Sequence, residues 1–139
     1  MSLHVLVPID QSSQSWSALE YAFEEFPEAE FTVLHVIDPL DHMLEGEVYG
    51  SEEPIARAEE DAEDLIDAVE ELAETFDVRA TAVLKHGRPG RTIVETAEDS
   101  DIDHIVLGSH GRSGVSRILL GSVAEDVIRR SSVPVTVVR

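Results

Sequence analysis

The stretch IVLGSHGRSGVSRILLGS, at residues 105–122, carries the strongest indication of how this chain folds. It begins with a short β-branched apolar run, continues through Gly108 and Gly111, and ends with Gly121 and Ser122 at the start of a helical pattern. A buried strand that runs through a glycine loop into a helix is a recurring unit of α/β proteins. Ligands of open α/β sheets bind at the carboxyl ends of the strands, where this loop is expected to lie.

Four more apolar runs have the same character, and the five together predict a parallel sheet. Their residues are almost continuously apolar and rich in Val and Ile, as in strands buried on both faces. Amphipathic helical patterns fill the intervals, so the order is β-α-β-α-β-α-β-α-β. This alternation predicts an open, doubly wound five-stranded parallel sheet with right-handed crossovers and helices on both faces. The runs are residues 5–9, 31–37, 78–84, 105–107 and 133–138.

Length and composition narrow the class of protein. A chain of 139 residues with 42% hydrophobic residues suits one globular domain, so we expect a single domain over residues 1–139. No apolar run reaches the roughly 18 to 20 residues that cross a bilayer, and no targeting pattern precedes the first strand, which predicts a cytoplasmic protein. The absence of cysteine excludes disulfides and thiolate catalysis.

The charge is strongly negative. Twenty-nine acidic residues against ten basic ones give a formal net charge of −19, and Lys85 is the single lysine. Such a surface repels nucleic acid and anionic lipid, so neither is an expected partner. Many acids with almost no lysine suit a halophilic protein, because concentrated salt screens the self-repulsion. An ordinary acidic protein is the alternative. Residues 38–54, which are acidic and non-periodic, are predicted to form a mobile loop of unassigned role.

The charge is also uneven along the chain. Residues 1–101 hold 26 acids and 5 bases, whereas residues 102–139 hold 3 acids and 5 arginines. An anionic ligand or a partner surface would explain this less acidic quarter. Burial of part of it is the alternative explanation.

The glycine segment has the chemistry of a phosphate site. Glycines let the backbone approach phosphate oxygens, and Ser122 is predicted to be the N-cap of a helix whose first N–H groups are free. The segment contains neither a Walker A pattern nor a G-x-G-x-x-G fingerprint, which favours binding over fast phosphoryl transfer. A plain strand-to-helix turn with a serine cap is the alternative.

These residues resemble the universal stress protein family over essentially the whole chain. The spacing Gly108-x2-Gly111-x9-Gly121-Ser122 is similar to that of the family's ATP-binding members. The resemblance implies the strand order 3-2-1-4-5 and a homodimer joined through the strand at 133–138. Further stretches that look like family signatures are VLVPID at 5–10, LHVI at 34–37, Gly87-x-Pro89 and VPVTVV at 133–138.

The resemblance also implies a ligand, which is ATP (or AMP or ADP), with Mg²⁺ bound through the phosphates. Asp10 has two interpretations. Its carboxylate could orient the ligand or a Mg²⁺-bound water, or it could cap the start of the first helix. The implied contacts are Pro8 and Asp10 facing the adenosine, the Val36 backbone on adenine, Leu107 and Gly108 by the ribose, and Gly111, Gly121, Ser122 and Val123 on the phosphates.

Three functions follow from this resemblance and from the residues. The first is a non-enzymatic regulator of the stress response, in which nucleotide occupancy changes a surface read by a protein partner that the sequence does not name. The second is a slow ATPase, and the third is an interaction dimer that binds no nucleotide. No catalytic residue is assigned, because the serines include no G-x-S-x-G elbow and the histidines lack metal-ligand spacing.

The charge generates a prediction about salt. A net charge of −19 destabilises the compact state through self-repulsion. The Debye length falls from about 30 Å at 0.01 M to about 3 Å at 1 M ionic strength. The thermal midpoint, followed by circular dichroism, should therefore rise steeply between dilute buffer and molar KCl. A flat series would contradict the halophilic interpretation and leave ordinary acidity.

Overall fold

Strands and helices alternate along the chain in the order that the sequence predicts. The structure, a computed structural model, describes residues 2–40, 53–109 and 120–139. None of the helices in these ranges is long and apolar enough to cross a membrane. The elements are β1 (His4–Pro8), α1 (Ser13–Glu25), β2 (Glu30–Ile37), α2 (Glu53–Phe76), β3 (Arg79–His86), α3 (Pro89–Asp99), β4 (His104–Gly108), α4 (Ser122–Arg130) and β5 (Val135–Val138).

The sheet confirms the predicted fold class. Its strand order is β3-β2-β1-β4-β5, and every neighbouring pair is parallel. β1 and β4 therefore lie side by side at the centre, and β3 and β5 form the two edges.

The first four strands differ from the predicted runs by one or two residues at their ends, and the last strand and the loop 38–54 differ as follows. β5 begins at Val135 and not at Val133, because the Ser131 hydroxyl both accepts from the Val133 N–H and donates to the Val133 C=O, which makes a local turn. In the predicted loop 38–54, Glu53 and Pro54 belong to α2, and residues 41–52 lie outside the described ranges.

The sheet buries a separate core on each face. α1 and α2 cover the first face, and α3 and α4 cover the second. In β1, Val5 and Val7 point to the first face and Leu6 to the second, and all three are fully buried. This explains the nearly continuous apolar runs. Other large, fully buried side chains are Leu19, Phe23, Phe31, Val33, Val69 and Val106 on the first face, and Leu34, Ile93 and Ile105 on the second.

Two histidine–threonine pairs join neighbouring strands. His4 Nε2 lies 2.8 Å from Thr32 Oγ1, and His104 Nε2 lies 2.7 Å from Thr136 Oγ1. Burial lowers the pKa of His104, whose ring also packs 5.5 Å from that of Phe26. The low pKa favours the neutral imidazole, which can remain hydrogen-bonded to the edge strand β5.

Two helices end on an aspartate with a positive φ. Asp77 follows α2 with φ 55°, and Asp101 follows α3 with φ 52°. In each case the next N–H bonds back into the helix, from Val78 to Ala73 and from Ile102 to Ala97, both at 3.1 Å. Glycine is the usual residue at such left-handed helix ends, and aspartate is tolerated there.

Candidate functional site

The crevice between β1 and β4 lies at the carboxyl edge of the sheet. Pro8 ends β1 and Gly108 ends β4, and the two strands are neighbours. The chain leaves β1 towards α1 on the first face, and α4, the helix after β4, lies on the second face. Such a divergence opens a crevice at the point where ligands of doubly wound sheets bind.

The start of α4 differs from the prediction by one residue. Gly121 is the N-cap, with φ −74° and ψ 166°, and Ser122 is an exposed first residue of the helix. The prediction that Ser122 is the N-cap was therefore wrong. The cause is tertiary: the Gly121 N–H donates to the Ser109 C=O at 2.5 Å, which fixes Gly121 in an extended conformation. Gly121 has no side chain that could cap this helix start.

This helix start exposes backbone donors at the crevice. The Glu125 N–H is the first to bond within the helix, to Gly121 C=O at 3.0 Å. The N–H groups of Ser122, Val123 and Ala124 precede that bond and have no partner within the helix. They lie at the positive end of the helix dipole, where anions are stabilised. Gly121 itself has no spare N–H, so its contribution is the absence of a side chain.

Asp10 holds the turn between β1 and α1. Its Oδ1 accepts from the Ser12 N–H at 2.7 Å, and its own N–H donates to Ser15 Oγ at 3.1 Å. Ser12 is the N-cap of α1, and its hydroxyl accepts from the Ser15 N–H at 3.2 Å. The Asp10 carboxylate therefore supports the turn before α1 by bonding the N–H of the N-cap residue, and the helix cap itself is the Ser12 hydroxyl. A contact between Asp10 and a ligand stays a prediction.

Gly108 is required by the neighbouring helix. A Cβ at this position would lie 2.9 Å from the carbonyl oxygen of Gln14 and 3.2 Å from the nitrogen of Ser15. The backbone of α1 thus packs directly on the end of β4, a contact that the sequence analysis missed. Ser15 is only 5% exposed, although it is polar. A small polar residue on the apolar face of α1 is the sequence feature that indicates this close contact.

The other predicted residues differ in what they can offer. The Leu107 side chain is 3% exposed in the core of the second face, so only its backbone can meet a ligand. Pro8 and Val36 are half-buried at the same edge of the sheet. Val123 packs on the second core. Gly111 lies outside the described residues.

Several arginines of the described residues are paired with carboxylates. Arg129 and Arg130 pair within α4 with Glu125 and Asp126, at 2.7 and 2.8 Å. Burial of residues in β4 and α4 accounts for part of the less acidic C-terminal quarter. Arg88 lies 3.8 Å from Asp38 beyond the ends of β2 and β3. Arg112 and Arg117 belong to the part of the chain that the structure does not describe.

Comparison with known proteins identifies the family. The profile of the Universal stress protein family matches residues 1–139. This chain belongs to the universal stress protein family. Universal stress protein MJ0531 from Methanocaldococcus jannaschii is 35% identical to it over 139 residues, covering 97% of this chain and 81% of the relative.

Solved structures of family members have the same fold. MJ0577, a universal stress protein from the same organism, matches this family member with a TM-score of 0.83 at 34% identity, covering 99% of this chain and 96% of that one. A universal stress protein family protein from Arabidopsis thaliana, solved with AMP bound, matches with a TM-score of 0.68 at 17% identity, covering 98% and 90%. At that identity the likeness shows the fold alone.

The contact between Gly108 and α1 generates a prediction. The Gly108→Ala change should lower the free energy of unfolding by about 1 to 3 kcal/mol, because the new methyl group collides with the Gln14 backbone. Urea unfolding measures the loss. The control is Gly121→Ala, whose backbone φ of −74° suits alanine and whose cost should be at most about 1 kcal/mol. Equal unfolding midpoints for Gly108→Ala and wild type would contradict the packing argument.

Proposed function

We propose that this protein binds an adenine nucleotide, ATP or AMP, in the crevice between β1 and β4. The binding is proposed to serve a cytoplasmic, nucleotide-dependent regulatory module of the stress response. The observation that carries the proposal is the start of α4, whose N-cap is a glycine without a side chain and is tied by its N–H to Ser109, just beyond the end of β4. Its first N–H groups, which have no acceptor within the helix, suit phosphate oxygens. The glycine spacing and the AMP-bound relative of the same fold support the nucleotide as the ligand.

The phosphates are proposed to bind the N–H groups of Ser122 and Val123, with Gly121 allowing close approach and Gly111 contributing from outside the described residues. Mg²⁺ is proposed to arrive on the phosphates. The described residues contain no group of three or more His, Cys, Asp or Glu that could hold a metal. A protein cage for the cation therefore has no support in these ranges.

The adenosine is proposed to lie over the ends of β1 and β2. Pro8 and Asp10 would face it, and the backbones of Leu107 and Gly108 would lie by the ribose. The Val36 backbone is well directed for adenine. Ile9 N–H bonds to Leu34 C=O, which shows that the even-numbered residues of β2 turn their backbone groups towards β1. Val36 is two residues further along, on the same side as Leu34 and beyond the end of β1.

The phosphate contact leads to a prediction for binding. The Gly121→Val change should abolish ATP binding in the presence of Mg²⁺, because a branched side chain blocks the helix start, while the extended backbone of Gly121 accepts valine without unfolding. Ser122→Ala should weaken binding by at most about 1 kcal/mol, since one hydroxyl among several donors is lost. Calorimetry measures both affinities.

A matched control for these variants is Ser132→Val, an exposed residue between α4 and β5. It should bind ATP as the wild type does. Unchanged ATP affinity in Gly121→Val would contradict the proposed site. Release of a nucleotide from denatured, purified protein, identified by its mass, would show directly which ligand the protein carries.

We also propose that two copies associate through β5. Ile105 N–H bonds to Pro134 C=O and Ser109 N–H to Val138 C=O, so the even-numbered carbonyls of this strand face β4. The N–H and C=O groups of Val135 and Val137 then face outwards along an edge of half-buried residues, of which all but Thr136 are apolar. Antiparallel pairing with a second copy satisfies such an edge by two-fold symmetry.

The edge geometry predicts how to separate the copies. Val137→Pro removes an outward donor and leaves the hydrogen bonds to β4 in place, so it should give a folded monomer. Val137→Thr keeps the N–H and should remain a dimer. Light scattering measures both masses, and circular dichroism checks that the proline variant is folded. Wild type that stays monomeric at micromolar concentration, in high salt with nucleotide, refutes the arrangement.

A further inference from the structure

The ladder between β1 and β2 ends at Ile9. Pro8 pairs with Leu34, and the Ile9 N–H donates to the Leu34 C=O at 2.8 Å. In a regular parallel ladder, the next bond would run from the Val36 N–H to the Ile9 C=O. That carbonyl is the last acceptor that β1 offers to β2 before the chain turns towards α1.

A side chain takes the place of that bond. His35, which follows Leu34, the β2 partner of Pro8, places its Nδ1 2.9 Å from the Ile9 carbonyl oxygen. A carbonyl oxygen can only accept, so Nδ1 carries the proton. His35 lies on the first face of the sheet, as Phe31 and Val33 do, and is half-buried there. Its imidazole therefore satisfies the Ile9 carbonyl from within β2 itself.

Beyond Ile9, the chain is held in its turn by other bonds. The Asp10 N–H donates to Ser15 Oγ, and the Ser12 N–H donates to Asp10 Oδ1. These bonds lie within the turn and the first residues of α1. The hydrogen bond from the His35 imidazole joins the Ile9 carbonyl to β2.

We propose that His35 is a positioning residue that stops the β1–β2 ladder and thereby keeps the Val36 N–H free for the ligand. The inference rests on the proposed function, because the ligand that would use this donor is the adenine ring. Adenine carries ring nitrogens that accept a hydrogen bond, which complements a backbone N–H at the carboxyl edge. Without the imidazole, the Ile9 carbonyl captures the Val36 N–H, and the donor is lost to the sheet.

Amide hydrogen exchange tests the ladder stop without any ligand. In the wild type, the Val36 N–H should exchange much faster than the Leu34 N–H. Both groups point to the same side of β2, but Leu34 is paired with β1, whereas Val36 lies beyond the end of that strand. In His35→Leu, the Val36 N–H should exchange at least tenfold more slowly than in the wild type. A merely structural role for His35 predicts the opposite sign, since loss of a stabilising bond speeds exchange.

The matched control is His35→Asn, because asparagine and leucine have nearly the same shape and the asparagine amide supplies a donor close to the position of Nδ1. It should restore fast exchange at Val36. For binding of AMP, measured by calorimetry, His35→Leu should be weaker by about five- to tenfold, which corresponds to one hydrogen bond, and His35→Asn should be close to wild type.

The outcomes separate the two proposals. Protected Val36 in the wild type, or equal Val36 exchange in the wild type and His35→Leu, overturns the ladder stop. Equal AMP affinity in those two proteins overturns the role in binding and leaves the proposed function standing. A wild type that binds neither AMP nor ATP overturns the proposed function. The exchange rates of Val36 still test whether His35 ends the β1–β2 ladder. If His35→Leu does not fold, the same exchange comparison in His35→Val, which also lacks the imidazole donor, decides.

Discussion

The central strands β1 and β4 are buried on both faces, and the rest of the architecture depends on this constraint. Each face must be covered by its own helix layer, so α1 packs on one face and α4 on the other. The two helices on opposite faces leave a crevice over the adjacent strand ends. The candidate site is thus a consequence of burying a sheet on two sides, and its described residues include backbone donors at the start of a helix.

Two glycines of the site have different physical explanations. Gly108 has no room for a side chain because the backbone of α1 lies against it, whether or not a ligand is present. Gly121 is an N-cap whose N–H is already bonded to Ser109, and a side chain there would stand at the opening of the helix start. A glycine motif read from sequence therefore mixes residues that the fold requires with residues that a ligand requires.

The sequence predicted the elements well because strands buried on both faces leave an unmistakable apolar run, and the family resemblance supplied their order. It misplaced Ser122 because the start of α4 is decided by a bond to Ser109, on another element. It assigned no role to His35, although the residue stands in a quoted signature. Its contact with Ile9 joins groups 26 positions apart and depends on strand register, which spacing along one segment does not reveal.

Two of the acidic residues, Asp77 and Asp101, stand at left-handed helix ends, so their presence affects the backbone as well as the net charge. Both aspartates occupy positions where the local backbone conformation favours glycine. Asparagine at both positions would remove the charge and tolerate the same φ, whereas glycine would remove the charge and relax the backbone as well. Comparing the two replacements separates charge repulsion from conformational strain, a distinction of direct use in adapting such a protein to work in dilute buffers.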